Sequence, residues 1–566
     1  MFKRVLKVNH LQFPQRILKN QKLRFYSNGT TNNSRGNTNI SLILGVGLIS
    51  GLSGYLISQK LKKNENANES AITISSTTKL SDLETPTYAT PEELAQGLIE
   101  IKKLLPADSI SNTESEINSH ASDPIKFVPP MDNERSDIIV YPETIEQVSE
   151  IAKICHRYRI PMIPYSGGTS IEGHYIPTRR GVCIDMSKMD KILAVHEDDL
   201  DVVVQPGIGW MELNEELDQY GLMFGCDPGP GAEIGGMVAT SCSGTNASRY
   251  GTMKENVISL KVVLADGTII KTKNRPRKSS NGYNLTGLFV GSEGTLGIIV
   301  EATLKLHVKP KHEVVALMHF KQLRDATKTV SDIFKSGLLV NAVELMDEKQ
   351  MTAIAETGTG GDRIFAPNHM LLFKLGGISE TSVNEIIRIV DEISRQNNGF
   401  NFQVAKDDED KEDIWRIRKT LLWNSLTWAK ERMPNVQILP TDVAVPVSKL
   451  PEMIESTMVE IEGKGLLGTA AGHAGDGNVH VLVIFPPEKL DIAKQVIDNM
   501  CNKAIQLEGT ISGEHGIGAG KREFLMLELG EETINTMRSI KLSLDPLRLL
   551  NPDKIFAIDP LENRSH

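Results

Sequence analysis

The sequence predicts an α+β protein. It should hold a cofactor among the loops of its first domain, open a second domain after it, and begin with an N-terminal transmembrane helix. Three observations predict this. Short β-branched strands and amphipathic helices are interrupted by loops of glycine and small polar residues at 164–170, 226–254 and 291–299. Two glycine-rich turns bearing histidines follow near the C-terminus, at 472–480 and 512–518. A 19-residue stretch without charge, Ile40–Ser58, precedes all of them.

At 566 residues the chain is too long for one core, and its 24% of charged residues is ordinary for globular domains. The net charge of −10 hides an asymmetry. Through Lys63 there are eleven Lys/Arg and no acidic residue, so the remainder carries 51 basic against 72 acidic side chains, net −21. Such a body repels nucleic acid and attracts a basic partner. The five cysteines (155, 183, 226, 242, 501) show no CxxC spacing, which argues against a disulfide framework or a structural zinc site.

Residues 1–26 hold seven Lys/Arg among apolar residues, the composition of a mitochondrial presequence, with Arg24-Phe-Tyr-Ser27 as its processing site. Residues 40–58 are long enough to cross a bilayer core, about 28 Å at a helical rise. Gly47 and Gly51 form a small-xxx-small pair that could pack two such helices into a homodimer. Lys60, Lys62 and Lys63 after the span favour a matrix-facing body by charge counting. A presequence followed by an apolar stop favours arrest in the inner membrane with the body in the intermembrane space, and that is the expectation.

Residues 64–129 read as a linker and one helix, with Thr90 as N-cap and Pro91 at the first helical position. The body opens with a strand at 137–141 and a helix from Pro142. Strands follow at 181–186, 201–205 and 260–265, with a hairpin turn at Asp266-Gly267. A second domain opens at 314–320, with helices at 323–335 and 382–396 and a strand at 370–375. The acidic run 407–413 reads as a solvated face. Gly229, Gly231 and Gly235 miss the dinucleotide fingerprint by one residue.

The glycine-rich stretch 226–254 contains Ile234, Met237, Val238 and Ala239, too apolar for a solvated linker. Such a run suits a polyanionic ligand held by backbone N–H groups. With 164–170 and 291–299 it resembles the vanillyl-alcohol oxidase type of flavoprotein, over roughly residue 130 to the C-terminus. The resemblance implies a two-subdomain FAD domain at 130–310, a substrate (cap) domain at 311–540, and a flap at 541–566 returning to the flavin through Asn551. It implies that Pro164, Tyr165, Ser166, Gly167, Gly168, Thr169 and Ser170 wrap the FAD pyrophosphate. Pro228, Gly229, Gly235, Gly236, Ala239, Ser241, Gly244, Thr245 and Asn246 would line the flavin and adenosine channel. Glu293, Gly294, Gly297, Ile298 and Ile299 would close over it. Where some members attach FAD through a histidine this chain has Thr169, so FAD should be non-covalent.

By spacing, His473 and His480 of His-x-Gly-Asp-Gly-Asn-x-His, with Glu514, make a three-ligand set for a divalent ion; the alternative is histidines that only hydrogen-bond in loops. Both turns resemble the D-2-hydroxy-acid dehydrogenase branch of the flavoprotein family. That implies His473, His480 and Glu514 as ligands of Zn²⁺ or Mn²⁺, His515 as catalytic base, and Arg418 as clamp for the substrate carboxylate. The expected reaction is oxidation of D-lactate to pyruvate, by hydride transfer to flavin N5, with cytochrome c taking the electrons. A D-2-hydroxyglutarate dehydrogenase of the same family, an oxygen-using oxidase and a membrane-tethered flavin-binding protein without turnover are the alternatives.

Overall fold

The computed structural model describes residues 75–122, 134–358, 365–433 and 435–562. The expected presequence, the apolar span 40–58 and the lysines after it lie outside the described residues. Among the described residues no helix is long and apolar enough to cross a membrane.

Helix α1 (Pro91–Leu104) starts where its cap predicts. Thr90 accepts from Glu93 N, and the Glu93 side chain returns to the Thr90 N–H. Its buried Ile101 packs with Val148, Ile151 and Cys155 of α2 (Ile145–Tyr158), which carries a capping box of its own at Thr144 and Gln147. These helices cover a four-stranded sheet of β1 (Ile110–Ser111), β2 (Ile138–Val140), β3 (Met162–Tyr165) and β4 (Val182–Asp185), in the order β1-β2-β4-β3. The β2, β4 and β3 pairings are parallel, which explains why these strands read as unbroken apolar runs rather than alternating ones.

The second subdomain is an antiparallel five-stranded sheet of β5 (Ile192–His196), β6 (Asp201–Val204), β7 (Val257–Val263), β8 (Ile269–Lys271) and β9 (Ile298–Lys305), ordered β5-β6-β9-β7-β8. The turn at Asp266-Gly267 joins β7 to β8 as expected. The short helix α3 (Ile234–Thr240) is apolar because Ile234, Met237 and Val238 are buried against this sheet. Val263, Ile298 and Val300 also pack into the core of the first sheet, so the two subdomains share their interior.

The second domain is one large antiparallel sheet of β10 (His312–Phe320), β11 (Ala342–Met346), β12 (His369–Gly377), β13 (Phe400–Val404), β14 (Gln437–Pro440), β15 (Leu467–His473) and β16 (Asn478–Phe485). Their order is β13-β10-β12-β11-β15-β16-β14, with Val443–Ala444 pairing at the β16 end. One face is covered by α4 (Leu323–Lys335), α5 (Glu380–Gln396), α7 (Leu450–Gly463) and α8 (Leu490–Gln506). The other receives Ile414, Trp415 and Ile417 of α6 (Asp408–Lys419). The acidic run is therefore not merely a solvated face but the start of α6. Asp407 caps it, and the acids sit at the positive end of its dipole while Arg416, Arg418 and Lys419 sit at the other.

The chain ends by returning to the first sheet. Met162 N donates to Leu549 O, and Asn551 N donates to Met162 O, which lays residues 549–551 along the edge of β3.

Gly181, at the entrance to β4, has φ +97°, and a Cβ there would lie 2.2 Å from the Pro161 carbonyl oxygen. Gly181→Ala is expected to destabilise the protein by about 1–3 kcal/mol through backbone strain, read as a lowered thermal or denaturant midpoint. An unchanged midpoint would contradict this geometry.

Candidate active site

A cavity opens between the two subdomains and the returning C-terminus. The first glycine loop lines it with Pro164, Tyr165, Ser166, Gly168 and Ser170, and α3 with Gly235, Gly236 and Ala239. Opposite them stand Glu293, Gly294, Gly297, Ile298, Ile299 and Asn551. The wall is mostly glycine, serine, proline and aliphatic carbon, so an anionic ligand there would be held by backbone groups rather than by lysine or arginine. Close packing requires the glycines. A Cβ on Gly235 would lie 2.7 Å from Pro206 Cβ, and one on Gly236 would lie 2.9 Å from Ser166 O.

Eight expected contacts stand off this wall. Gly167 packs on the Gly231 carbonyl, with Thr169 beside Gly231. Gly229 accepts from the Trp210 indole, and neither it nor Pro228 lines the cavity. Ser241 is the left-handed C-cap of α3. Gly244, Thr245 and Asn246 wrap the half-buried Asp227 carboxylate, which accepts from Thr245 Oγ1 and Asn246 N. A glycine-rich loop has two sides, and composition does not say which faces the ligand. His174, Tyr175, Met186 and Thr240 line the cavity and were not anticipated. His174 and Tyr175 follow the first loop directly, so their place in the sequence was the available signal.

The second half of the site grows from strand periodicity. Val343 and Leu345 enter the helix-covered core, so Glu344 between them faces the other side of the sheet. On that face Glu344 is the register partner of His473, and Ala471 is the partner of His480. Alternation thus brings Glu344, His473 and His480 together on adjacent strands, 129 residues apart in the case of Glu344 and His473.

Glu514 meets them from the following loop. Its Oε1 lies 3.0 Å from His480 Nε2 and 3.4 Å from His473 Nε2, and its Oε2 accepts from Ser243 Oγ at 2.9 Å. The outer nitrogens are occupied: His473 Nδ1 lies 2.7 Å from Glu344 Oε1, and His480 Nδ1 lies 3.1 Å from Thr441 O. Both Nε2 atoms are therefore presented inward, the outer-shell arrangement of metal-ligating histidines. One donor atom from each of His473, His480 and Glu514 lies within 4.8 Å of the others. One donor atom from each of Asp442, His480 and His515 likewise lies within 4.8 Å of the others. That group is the poorer ligand set, because Asp442 already accepts from Asn478 Nδ2, Ser512 Oγ, Glu514 N and His515 N.

The electrostatics agree with a cation at the first group. Burial lowers the pKa of His473, but Glu344 and Glu514 outweigh it and hold the imidazole well above the usual histidine value. Burial raises Glu514, and the two histidines more than reverse that, to well below the usual carboxylate range. A divalent ion would bring positive charge to the same carboxylate-lined point. His515 stacks on His480 with ring centroids 5.2 Å apart, and its Nδ1 is buried without a hydrogen-bond partner among the described residues. Burial lowers its pKa, which keeps a free base available at neutral pH. Arg418, on α6, donates through Nε to the fully buried Glu344 carboxylate. Among the described residues that is its side chain's one hydrogen bond, so both terminal nitrogens can take a substrate carboxylate.

Two family profiles match the chain: an FAD binding domain at residues 136–273, and the C-terminal domain of FAD linked oxidases at 309–555. Mitochondrial D-lactate dehydrogenase [cytochrome] of Kluyveromyces lactis is 45% identical over 528 residues, covering 92% of this chain and 91% of that one. The chain belongs to the FAD-linked oxidase family. The enzyme of the same name from Arabidopsis thaliana is 46% identical over 422 residues, 74% of this chain and 73% of that one. The structure of 4-ethylphenol oxidase from Gulosibacter chungangensis superposes with a TM-score of 0.68 at 16% identity, over 85% of this chain and 100% of that one. Membership in this family makes FAD the cofactor of this chain, and the small residues along the wall of the glycine-lined cavity fit a long cofactor held by main chain.

Gly236→Val should push α3 against the first loop and weaken flavin retention at least about tenfold, the effect of roughly 1.4 kcal/mol of overpacking. Flavin absorbance per protein after gel filtration measures it. Full retention would place the cofactor elsewhere.

Proposed function

We propose that this chain oxidises D-lactate to pyruvate and passes the electrons to cytochrome c; its relatives are named D-lactate dehydrogenase [cytochrome], which supports the substrate and a cytochrome as acceptor. The observation that carries the reading is the convergence of His473, His480 and Glu514 with His515 and Arg418, on the open face of the large sheet. FAD, when bound, accepts the C2 hydrogen as hydride and can give up electrons one at a time to a one-electron carrier. His473, His480 and Glu514 would hold a divalent ion, whose chemistry there would be to acidify the 2-hydroxyl as it does bound water. His515 takes the hydroxyl proton. Arg418 pairs with the substrate carboxylate while Glu344 fixes its guanidinium through Nε. Thr169 at the attachment position leaves FAD non-covalent, so acid precipitation should release it.

An anaerobic flavin-reduction screen of D-lactate, D-2-hydroxyglutarate and glycolate tests the substrate. Fastest bleaching by D-lactate is expected, and preference for either competitor rejects the assignment. His515→Asn should keep flavin yet slow its reduction at least about 10²-fold, the scale of a lost general base. His473→Ala should release the metal, and activity surviving in metal-free protein would reject the ligand set.

The same reading includes a mitochondrial presequence, an anchor at 40–58 and a body in the intermembrane space, where its net −21 charge would draw a basic carrier. Protease added to mitochondria with an opened outer and a sealed inner membrane should degrade the body. Cytochrome c reduction should weaken as salt rises, because the attraction is screened over about 8 Å at physiological ionic strength. A body protected until the inner membrane is lysed would reject both the topology and the acceptor.

A further inference from the structure

Family resemblance made Glu293 a cofactor contact, yet its side chain is spent elsewhere. Its carboxylate accepts from Ile517 N at 2.7 Å and from Gly518 N at 2.7 Å. These are successive amides of the turn that carries Glu514 and His515. The turn is shaped for this contact: Gly516 and Gly518 adopt φ +81° and +52°, and alternating backbone of this kind converges neighbouring N–H groups on one anion. Approach is close enough that a Cβ on Gly516 would lie 2.8 Å from Glu293 Oε1 and 2.6 Å from His174 Nε2.

The main chain of Glu293 belongs to the other half of the site. Its N–H donates to Ala239 O at 2.8 Å, and its carbonyl accepts from Asn551 Nδ2 at 2.7 Å. Both partners line the cofactor cavity. A non-glycine residue at φ +52° costs of order 1–3 kcal/mol and persists where its surroundings over-determine it. Burial raises the pKa of this carboxyl, and His174 and the two amides reverse that, so it stays ionised. An anion locked by its backbone to one site and by its oxygens to the other can transmit order between them.

Resting on the FAD and metal assignments above, we propose that Glu293 is a positioning residue coupling the two sites. Its backbone is set by the cofactor wall, and its carboxylate sets the turn that presents Glu514 to the metal. Glu293 thus acts as an outer-shell support of the metal ligand from 221 residues upstream. Removal of such supports commonly weakens metal affinity about 10–100-fold.

The test titrates Zn²⁺ against a fluorescent chelator in flavin-loaded full-length enzyme. Glu293→Gln keeps one acceptor oxygen and should lower Zn²⁺ affinity about tenfold while flavin content and spectrum stay unchanged. Glu293→Asp keeps the charge but falls one methylene short, and it should show the same split, which keeps the test open if the first variant does not fold. Zn²⁺ affinity within twofold of the parent in either soluble variant overturns the proposal, and so does loss of flavin with Zn²⁺ affinity intact. A parent enzyme that binds no Zn²⁺ or other divalent ion would instead reject the metal reading on which the proposal stands.

Discussion

The buried Asp442 carboxylate anchors the turn that carries Glu514 and His515. It is shut from solvent, and its two oxygens take Asn478 from the end of the sheet and Ser512, Glu514 N and His515 N from the catalytic turn. Lys521, also buried, donates to the Asp442 carbonyl and balances the charge from 3.8 Å. Hydrogen bonds to an ionised group are each worth about 1.5–3 kcal/mol, and leaving such a charge buried and unpaired costs more than that. The turn therefore has little choice of where to lie, and His515 inherits its position from its own backbone amide rather than from its ring.

A second buried anion does the same for the sheet side. Glu344, without solvent exposure, joins Arg418 of α6 to His473 of β15. It orients one nitrogen of the imidazole outward and fixes the side-chain nitrogen of Arg418 that a carboxylate ligand does not need. One acid thus orients both the proposed metal ligand and the proposed substrate clamp, from two elements brought together where α6 packs on the open face of the sheet. The two histidines and Glu514 face one another across a few ångströms, and neutrality there requires a proton or a metal ion.

The elements were largely legible. Thr90-Pro91 placed a helix start, and Asp266-Gly267 placed a hairpin, because caps and tight turns are made by neighbouring residues. The glycine loops and the histidine turns were found for the same reason. Less legible were the roles of individual loop residues. Thr245 and Asn246, expected on the cofactor, are bonded to Asp227, and Glu293 turned its carboxylate to a segment more than two hundred positions away. The run 407–413 read as a solvated face because charge density is visible in sequence and helix-dipole complementarity is visible only once the helix has its partner.

By itself the sequence determined the α+β class, the two domains, the small-residue wall of a cofactor cavity and the presence of metal-competent side chains. Each of these follows from local periodicity, composition or short spacing. Only the tertiary structure decided which atoms meet. Sheet order made Glu344 and His473 register partners, and burial chose between two overlapping three-residue groups by saturating Asp442 with hydrogen bonds. The reason is physical: a β-ladder and a desolvated carboxylate both draw their partners from anywhere in the chain, and the partner's distance along the sequence leaves no mark on either neighbourhood.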